Sequence, residues 1–482
     1  MKLLLRLYTT FIFFWFVNCF LSQGIEFRFS DNIQVSKEYK PHSCFQYEEN
    51  YVLIQKKIKS SSCDLKVNLF NSSLKIKNQF DAVINDHLFI SINYFFDKIF
   101  LFTSKNENNS TQLYFHEFNL NDGFIKSKKI FDEPNVNGYT SKYTISDSTF
   151  DGSFFVLVEL PYQPKKNEDI KLLSFDNSFK ITDQVYNKLD IPFEPKRDNR
   201  LLISPLGKII LVKTFWDKGN NFYLYELGKS VIDEVEIKLN NRKIADIDYL
   251  FNKKNELVIA GFFTSLKRYN YEGYFIHKYD EDLTLVHKNQ YFLSKKIVET
   301  FKSSNQIKET GFGLDKFRLS NFGIDQNGNY FLLTEHLGRK KVKGINNWDS
   351  KGMVAIKFNK NGNFIWACPI TFKQFNEEIR FIGSFHLNSF NEAEYFYNCL
   401  SNLRFRKGVP EEYGLNNYCG TQQLSFNTVG EIEDNILKVD FPNHSSIKYS
   451  FYPKQLNPVH SNISIFSMID DSGGNMIIGV NR

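Results

Sequence analysis

A short polar turn followed by an apolar, β-rich run recurs along this chain, and few folds can use such a pattern. Asp151-Gly152-Ser153 precedes FFVLVEL, Pro205-Leu206-Gly207-Lys208 precedes IILVKTF, and Lys253-Lys254-Asn255-Glu256 precedes LVIAGFF. Gln326-Asn327-Gly328-Asn329 leads into YFLLTEH, and Ser472-Gly473-Gly474-Asn475 into MIIGV. An apolar strand precedes each turn, so each copy reads as a β-hairpin whose tight turn wants Asn or Gly at positive φ. A second hairpin follows, as in LLSF, Asp176-Asn177-Ser178 and FKITDQVY. Four strands about every 45–60 residues match the spacing of a propeller blade. Fifty Phe and 25 Tyr against four Met suit pleated, half-buried surfaces.

The expected fold is therefore all-β, a β-propeller of seven or eight four-stranded blades. The units run 43–80, 84–131, 143–188, 198–240, 245–296, 319–373 and 380–440. The last hairpin, 462–481, has two strands, and 25–37 alternates suitably to complete it, so the N-terminal strands are expected to close the ring. Segment 296–318 breaks the pattern and reads as a long connection with one helical turn. A two-domain arrangement with an N-terminal β-sandwich and an open solenoid are the alternatives.

Residues 1–22 read as an export signal, with Met1-Lys2 and Arg6 ahead of an apolar run from Leu7 to Leu21 and a small residue at Ser22. The mature domain would span 23–482, secreted or periplasmic, with no membrane span after cleavage; a retained anchor or a lipid anchor at Cys19 are the other outcomes. Losing Lys2 and Arg6 lowers the net charge from +6 to +4, well short of a nucleic-acid binder. Cys44–Cys63 and Cys399–Cys419 are the natural local disulfide candidates, leaving Cys368 free.

Phe358-Asn359-Lys360-Asn361-Gly362-Asn363-Phe364-Ile365-Trp366 resembles the F-x-x-x-G-N-x-x-W pattern of bacterial β-propeller-repeat proteins. The export signal and the Phe/Asn/Lys-rich composition resemble exported proteins of Bacteroidota bacteria. The resemblance implies a binding or scaffold role. Trp348-Asp349 is expected in a loop, so it does not supply the dipeptide of WD40 repeats.

No catalytic signature emerges. Asp471-Ser472-Gly473-Gly474 is similar to a chymotrypsin-like nucleophile loop, but Asp470 stands where Gly is expected and no matching histidine motif exists. Asp325-Gln326-Asn327-Gly328-Asn329 alternates oxygen ligands as a Ca²⁺ loop would, yet lacks the downstream acid and makes a good hairpin turn; no other cofactor or metal is expected. The pairs Glu168-Asp169, Glu281-Asp282 and Glu411-Glu412 are expected in solvated loops.

In a propeller the connections between second and third strands leave on one face. Here they are 104–110, 161–169, 215–221, 264–272, 335–351 and 402–419, holding 14 Lys/Arg against 9 Asp/Glu. Aromatic residues accompany the charge, and Arg with Tyr or Trp anchors interfaces and stacks on sugars. Trp216, Arg268, Tyr269, Arg339, Lys340, Lys341, Trp348, Arg404, Arg406 and Tyr413 are the candidate ligand-binding residues. The expected function is non-enzymatic binding of an envelope or extracellular protein or an anionic glycan. The alternative is a propeller-type hydrolase or lyase acting on a polysaccharide or peptide, which would gather carboxylates or a His at the channel mouth.

Overall fold

The computed structural model describes residues 27–376 apart from 31–32, 35–38, 59–61, 96–97, 122, 124, 148, 150–151, 165, 194–196, 216–220, 229–233, 266–269, 326 and 343–344. Beyond 376 it describes the backbone of the strands.

In several units the middle strands are buried without alternation, so they need cover on both faces. Ile209–Phe215, Leu257–Thr264, Gly273–Tyr279 and Tyr330–His336 are buried at every position. A fourth strand such as Ile76–Asn85 instead alternates toward solvent. Stacking one sheet on the next meets both demands. The result is a β-propeller of eight antiparallel sheets, with strands spanning 40–85, 88–134, 142–192, 197–236, 243–292, 317–376, 384–437 and 449–481. In each of the first seven the chain passes outward strand by strand. First strands of neighbouring sheets touch, as Leu88–Phe95 does Lys142–Ile145 and Lys243–Phe251 does Phe317–Ile324, which puts them innermost.

The cores lie between sheets. Phe100, Phe102 and Phe115 of sheet 2 meet Phe154, Phe175 and Phe179 of sheet 3, with the Phe115 and Phe179 rings 4.1 Å apart. The aromatic surplus thus fills wedges between twisted sheets. The eighth sheet joins the two ends of the chain. Phe27–Phe29 and Ile33–Gln34 pair with Asn475–Asn481, Arg28 facing Val480. Tyr449–Phe451 and Asn457–His460 pair with the other edge of Ile463–Asp470, two short strands beyond the hairpin and N-terminal strands expected.

One turn recurs. Asn71, Asp176, Asp280 and Asn359 each accept, through one side-chain oxygen, the backbone N–H groups two and four residues on. The residue three on has positive φ: Leu74, Phe179, Leu283 and Gly362. An Asx acceptor offers the chain the geometry of a turn, and each such bond contributes about 1 kcal/mol. Leu74, Phe179 and Leu283 accept that backbone because their side chains are buried in the core. Asp325 belongs to the same class. Its oxygens accept from the backbone and side-chain nitrogens of Asn329, and Lys357 lies 3.6 Å away.

Segment 296–318 differs from the single helical turn expected, holding two helices, Lys295–Phe301 and Ser304–Thr310. Ser294 and Ser303 cap their N-termini, Ser303 in a capping box with Gln306. The Cys44–Cys63 pairing is corrected: both residues are buried, and the register of their sheet holds them apart. Cys44 faces Leu53, which faces Asn68 on the third strand, five residues from Cys63. Two strand spacings and five residues separate them by on the order of 19 Å, against a limit of about 7 Å for a disulfide. Cys399 pairs with Gly420 and Leu400 with Tyr418, so Cys419 falls in the bulge beside Cys399; their side chains lie outside the described residues.

In sheet 2 a chain of side-chain contacts runs from His87, just ahead of the first strand, across the other three strands. His87 Nδ1 meets Thr103 Oγ1 at 2.7 Å, Thr103 Oγ1 meets His116 Nε2 at 2.8 Å, and His116 Nδ1 meets Ser127 Oγ at 2.7 Å. Burial, helped by neighbouring His87, lowers His116 from its ordinary 6.5 to about 4. Above pH 6.5 neither folded nor unfolded chain protonates this ring. Between 6.5 and 4 only the unfolded chain does, so stability falls with acid by about 3 kcal/mol. Denaturant melts across that range should show this loss, with a further part from His277, which burial also takes to about 4. His116→Gln should remove the His116 share; an unchanged acid slope in the variant would contradict the strut.

Candidate functional face

Each of the first seven sheets runs outward in chain order, so their second-to-third connections and first-strand starts share one end of the molecule. Several stretches expected there as loops are built of strands. Residues 104–110 form only a turn at Asn108-Asn109 between Lys98–Glu107 and Ser110–Phe118. Residues 335–351 form a ribbon in which Gly338–Val342 pairs with the start of Ile345–Phe358. Arg339 faces Trp348, Lys340 faces Asn347 and Lys341 faces Asn346. Trp348-Asp349 is therefore strand rather than loop, because the second-to-third connection of sheet 6 extends the ladder. In sheet 7 the same connection holds a smaller ribbon, with Arg406 facing Val409.

Arg339 is exposed. The side chains of Lys340, Lys341, Trp348 and Arg406 lie outside the described residues, as do Trp216, Arg268, Tyr269, Arg404 and Tyr413 altogether. The structure thus brings Arg339, Lys340, Lys341 and Trp348 onto one ribbon and places Arg406 on the ribbon of the next sheet.

Beneath this end lies a feature the sequence reading missed. Glu168 is not in a solvated loop but on the strand Asn167–Phe175, wholly buried. Its carboxylate lies 2.7 Å from the Lys213 ammonium and 3.1 Å from Arg197 Nε, and Arg197 Nη2 reaches Glu159 at 2.8 Å. Lys213 also donates to Asn199 Oδ1 at 2.8 Å, and the Arg197 guanidinium covers the Phe193 ring at 3.7 Å. Burial draws the Lys213 ammonium below its ordinary pKa, with Glu168 opposing. Two carboxylates and two cations balance between sheets 3 and 4. The strand Arg197–Ile203 directs Arg197 and Asn199 to this cluster, and alternation turns Asp198 and Arg200 the other way, where the Arg200 guanidinium lies 6.0 Å over the Tyr249 ring.

Carboxylates also gather on the inner strand of sheet 5. Burial raises the pKa of Asp246 and Asp248. Asp246 accepts from Leu319 N at 3.2 Å and from the Tyr271 hydroxyl at 3.3 Å, and Asp248 is bonded by backbone N–H groups of Tyr249 and Phe322. These acids clamp the first strand of sheet 6, whose ladder slips between Leu319 and Asn321. The Ser127 hydroxyl meets His116 Nδ1, and the second ring nitrogen is held by Thr103. At the opposite end, a cavity of about 700 Å³ is lined by Leu201, Leu202, Ile203, Phe155, Phe251 and Asp147 among others. Among the described residues no three His, Cys, Asp or Glu cluster as metal ligands.

No protein-family model matches the chain, and no curated protein matches it significantly. Among solved structures it is similar to a prolyl endopeptidase, at 10% identity and a TM-score of 0.39 over 90% of this chain and 55% of that one; it spans about half of that chain's length. It is similar also to the β-propeller domain of the Trilobed protease from Pyrococcus furiosus, at 10% identity and a TM-score of 0.38 over 85% of this chain and 98% of that one. A protein of unknown function from Bacteroides caccae matches at 10% identity and a TM-score of 0.31, over 65% of this chain and 95% of that one.

Removing one partner from a buried, balanced ion cluster leaves uncompensated charge and costs about 3 kcal/mol. Lys213→Met should lose that much in a denaturant melt, and Lys213→Met with Glu168→Gln should regain most of it. Equal losses in both variants would contradict the charge balance described.

Proposed function

We propose that this chain is an exported, non-enzymatic binding or scaffold module whose ligand, an anionic glycan, docks on the ribbon face of sheets 6 and 7. One observation supports the reading above others: the second-to-third connection of sheet 6 is a hydrogen-bonded ribbon with Arg339, Lys340 and Lys341 on successive positions and Trp348 opposite. Residues 337–351 hold five Lys/Arg against one Asp. A paired ribbon holds its charges at fixed spacing, which lowers the ordering cost a loose basic loop would carry on binding. An aromatic residue beside cations suits a sugar ring bearing acidic groups. The inner-strand carboxylates, bonded to backbone N–H groups and Tyr271, support binding over catalysis.

Replacing Arg339, Lys340 and Lys341 by Glu should weaken binding to a sulfated polysaccharide by at least about tenfold at low salt. It should also flatten the salt dependence, since exposed charge attraction is screened. Solution affinity measured across a salt series decides the matter; unaltered affinity in the variant would remove this face as the docking surface.

A further inference from the structure

At the root of the same ribbon, the two helices between sheets 5 and 6 fold back over the start of sheet 6 and enclose a cavity of about 70 Å³. We propose that this cavity is an oxyanion subsite, taking one sulfate, phosphate or carboxylate group of the ligand; the inference rests on reading this face as the docking surface.

The cavity's charge is the first support. Lys302, Lys316 and Lys351 line it against a single carboxylate, Asp315. Asp315 is already matched. The Lys302 ammonium, 5% exposed, pairs with it at 2.8 Å and donates to Thr310 Oγ1 at 2.9 Å and toward the Gly311 carbonyl at 3.4 Å. Lys316 and Lys351, both exposed at the mouth, have no ion pair among the described residues, so the positive charge of the cavity is surplus. Gln306 and Thr310 add neutral polar groups to the wall. The volume admits several waters or one compact oxyanion.

His336 is the second support. It lines the cavity and is 4% exposed. Its Nδ1 lies 3.1 Å from the Asp349 carbonyl, which can only accept, so the neutral ring carries its proton on Nδ1 and Nε2 is the atom able to gain one. The groups facing this ring are Asp349 and Lys351 from the ribbon strand, Asp315 from the approach to sheet 6, and the Phe317 ring edge-on at 5.5 Å. The backbone of Gly338 is close enough that a Cβ there would lie 3.2 Å from His336 Cε1. An anion in the cavity would favour the imidazolium, adding a charge-assisted partner that the empty cavity disfavours.

The test is a titration of the full chain with inorganic phosphate, following the imidazole resonance of His336 by NMR, assigned with His336→Gln. Phosphate should bind saturably and raise the His336 pKa by about one unit. Lys316→Gln with Lys351→Gln should abolish the rise, whereas the Glu substitutions at Arg339, Lys340 and Lys341 should leave it intact. No saturable change, or the same change in the Lys316/Lys351 variant, would overturn the subsite even if the polysaccharide still binds through the ribbon. A sulfated oligosaccharide run alongside identifies the source: tighter binding than phosphate, weakened by the Lys316/Lys351 variant, supports a ligand-borne group. Occupancy by free phosphate with no oligosaccharide effect would overturn that assignment.

Discussion

Burial of both faces of the middle strands is the constraint on which this molecule depends. A strand such as Ile209–Phe215, buried at every residue, cannot be left at a surface, and an isolated four-stranded sheet offers it none but surfaces. Stacking sheets around an axis gives each one two neighbours, and aromatic rings fill the divergent gaps left by twist. The outermost strands then alternate toward water, and the innermost are only partly covered, as along Lys243–Phe251.

Polar groups buried by this stacking are used to fix neighbours against each other. Glu159, Glu168, Arg197 and Lys213 join sheets 3 and 4 with balanced charge. Asp246 and Asp248 hold backbone N–H groups of sheet 6 where its ladder slips. Each would be costly without its partner, so they specify which sheet face meets which. The end of the molecule above them is free to elaborate, and it does so by lengthening the ladder of sheet 6 into a ribbon rather than by adding loose loop.

The turns were readable because their chemistry is local: an Asx acceptor and a residue tolerating positive φ identify Asp176-Asn177-Ser178-Phe179 or Asp325 through Asn329 without tertiary information. Glu168 was not readable. Beside Asp169 and after two lysines it looks like a solvated loop, and only its pairing with two cations some thirty and forty-five residues away along the chain makes burial tolerable. The same limit hid the separation of Cys44 and Cys63, whose short spacing conceals an intervening strand. Ser303 with Gln306 did carry a capping-box signal for the second helix, masked by the surrounding strand pattern. The ribbon at 338–358 was hidden because its Arg/Lys and Asn positions carry no β-propensity, and the ladder continues through them from the apolar strand behind.

The central claim is that the two ends of the chain share one sheet. Its most direct measurement is oxidative cross-linking of Arg28→Cys with Val480→Cys, which face one another across adjacent strands, read by mass spectrometry of the monomer. The account predicts an intramolecular 28–480 disulfide formed in the native state and lost when cysteines are placed two residues out of register. Cross-links that form only between molecules, or equally well out of register, would contradict it.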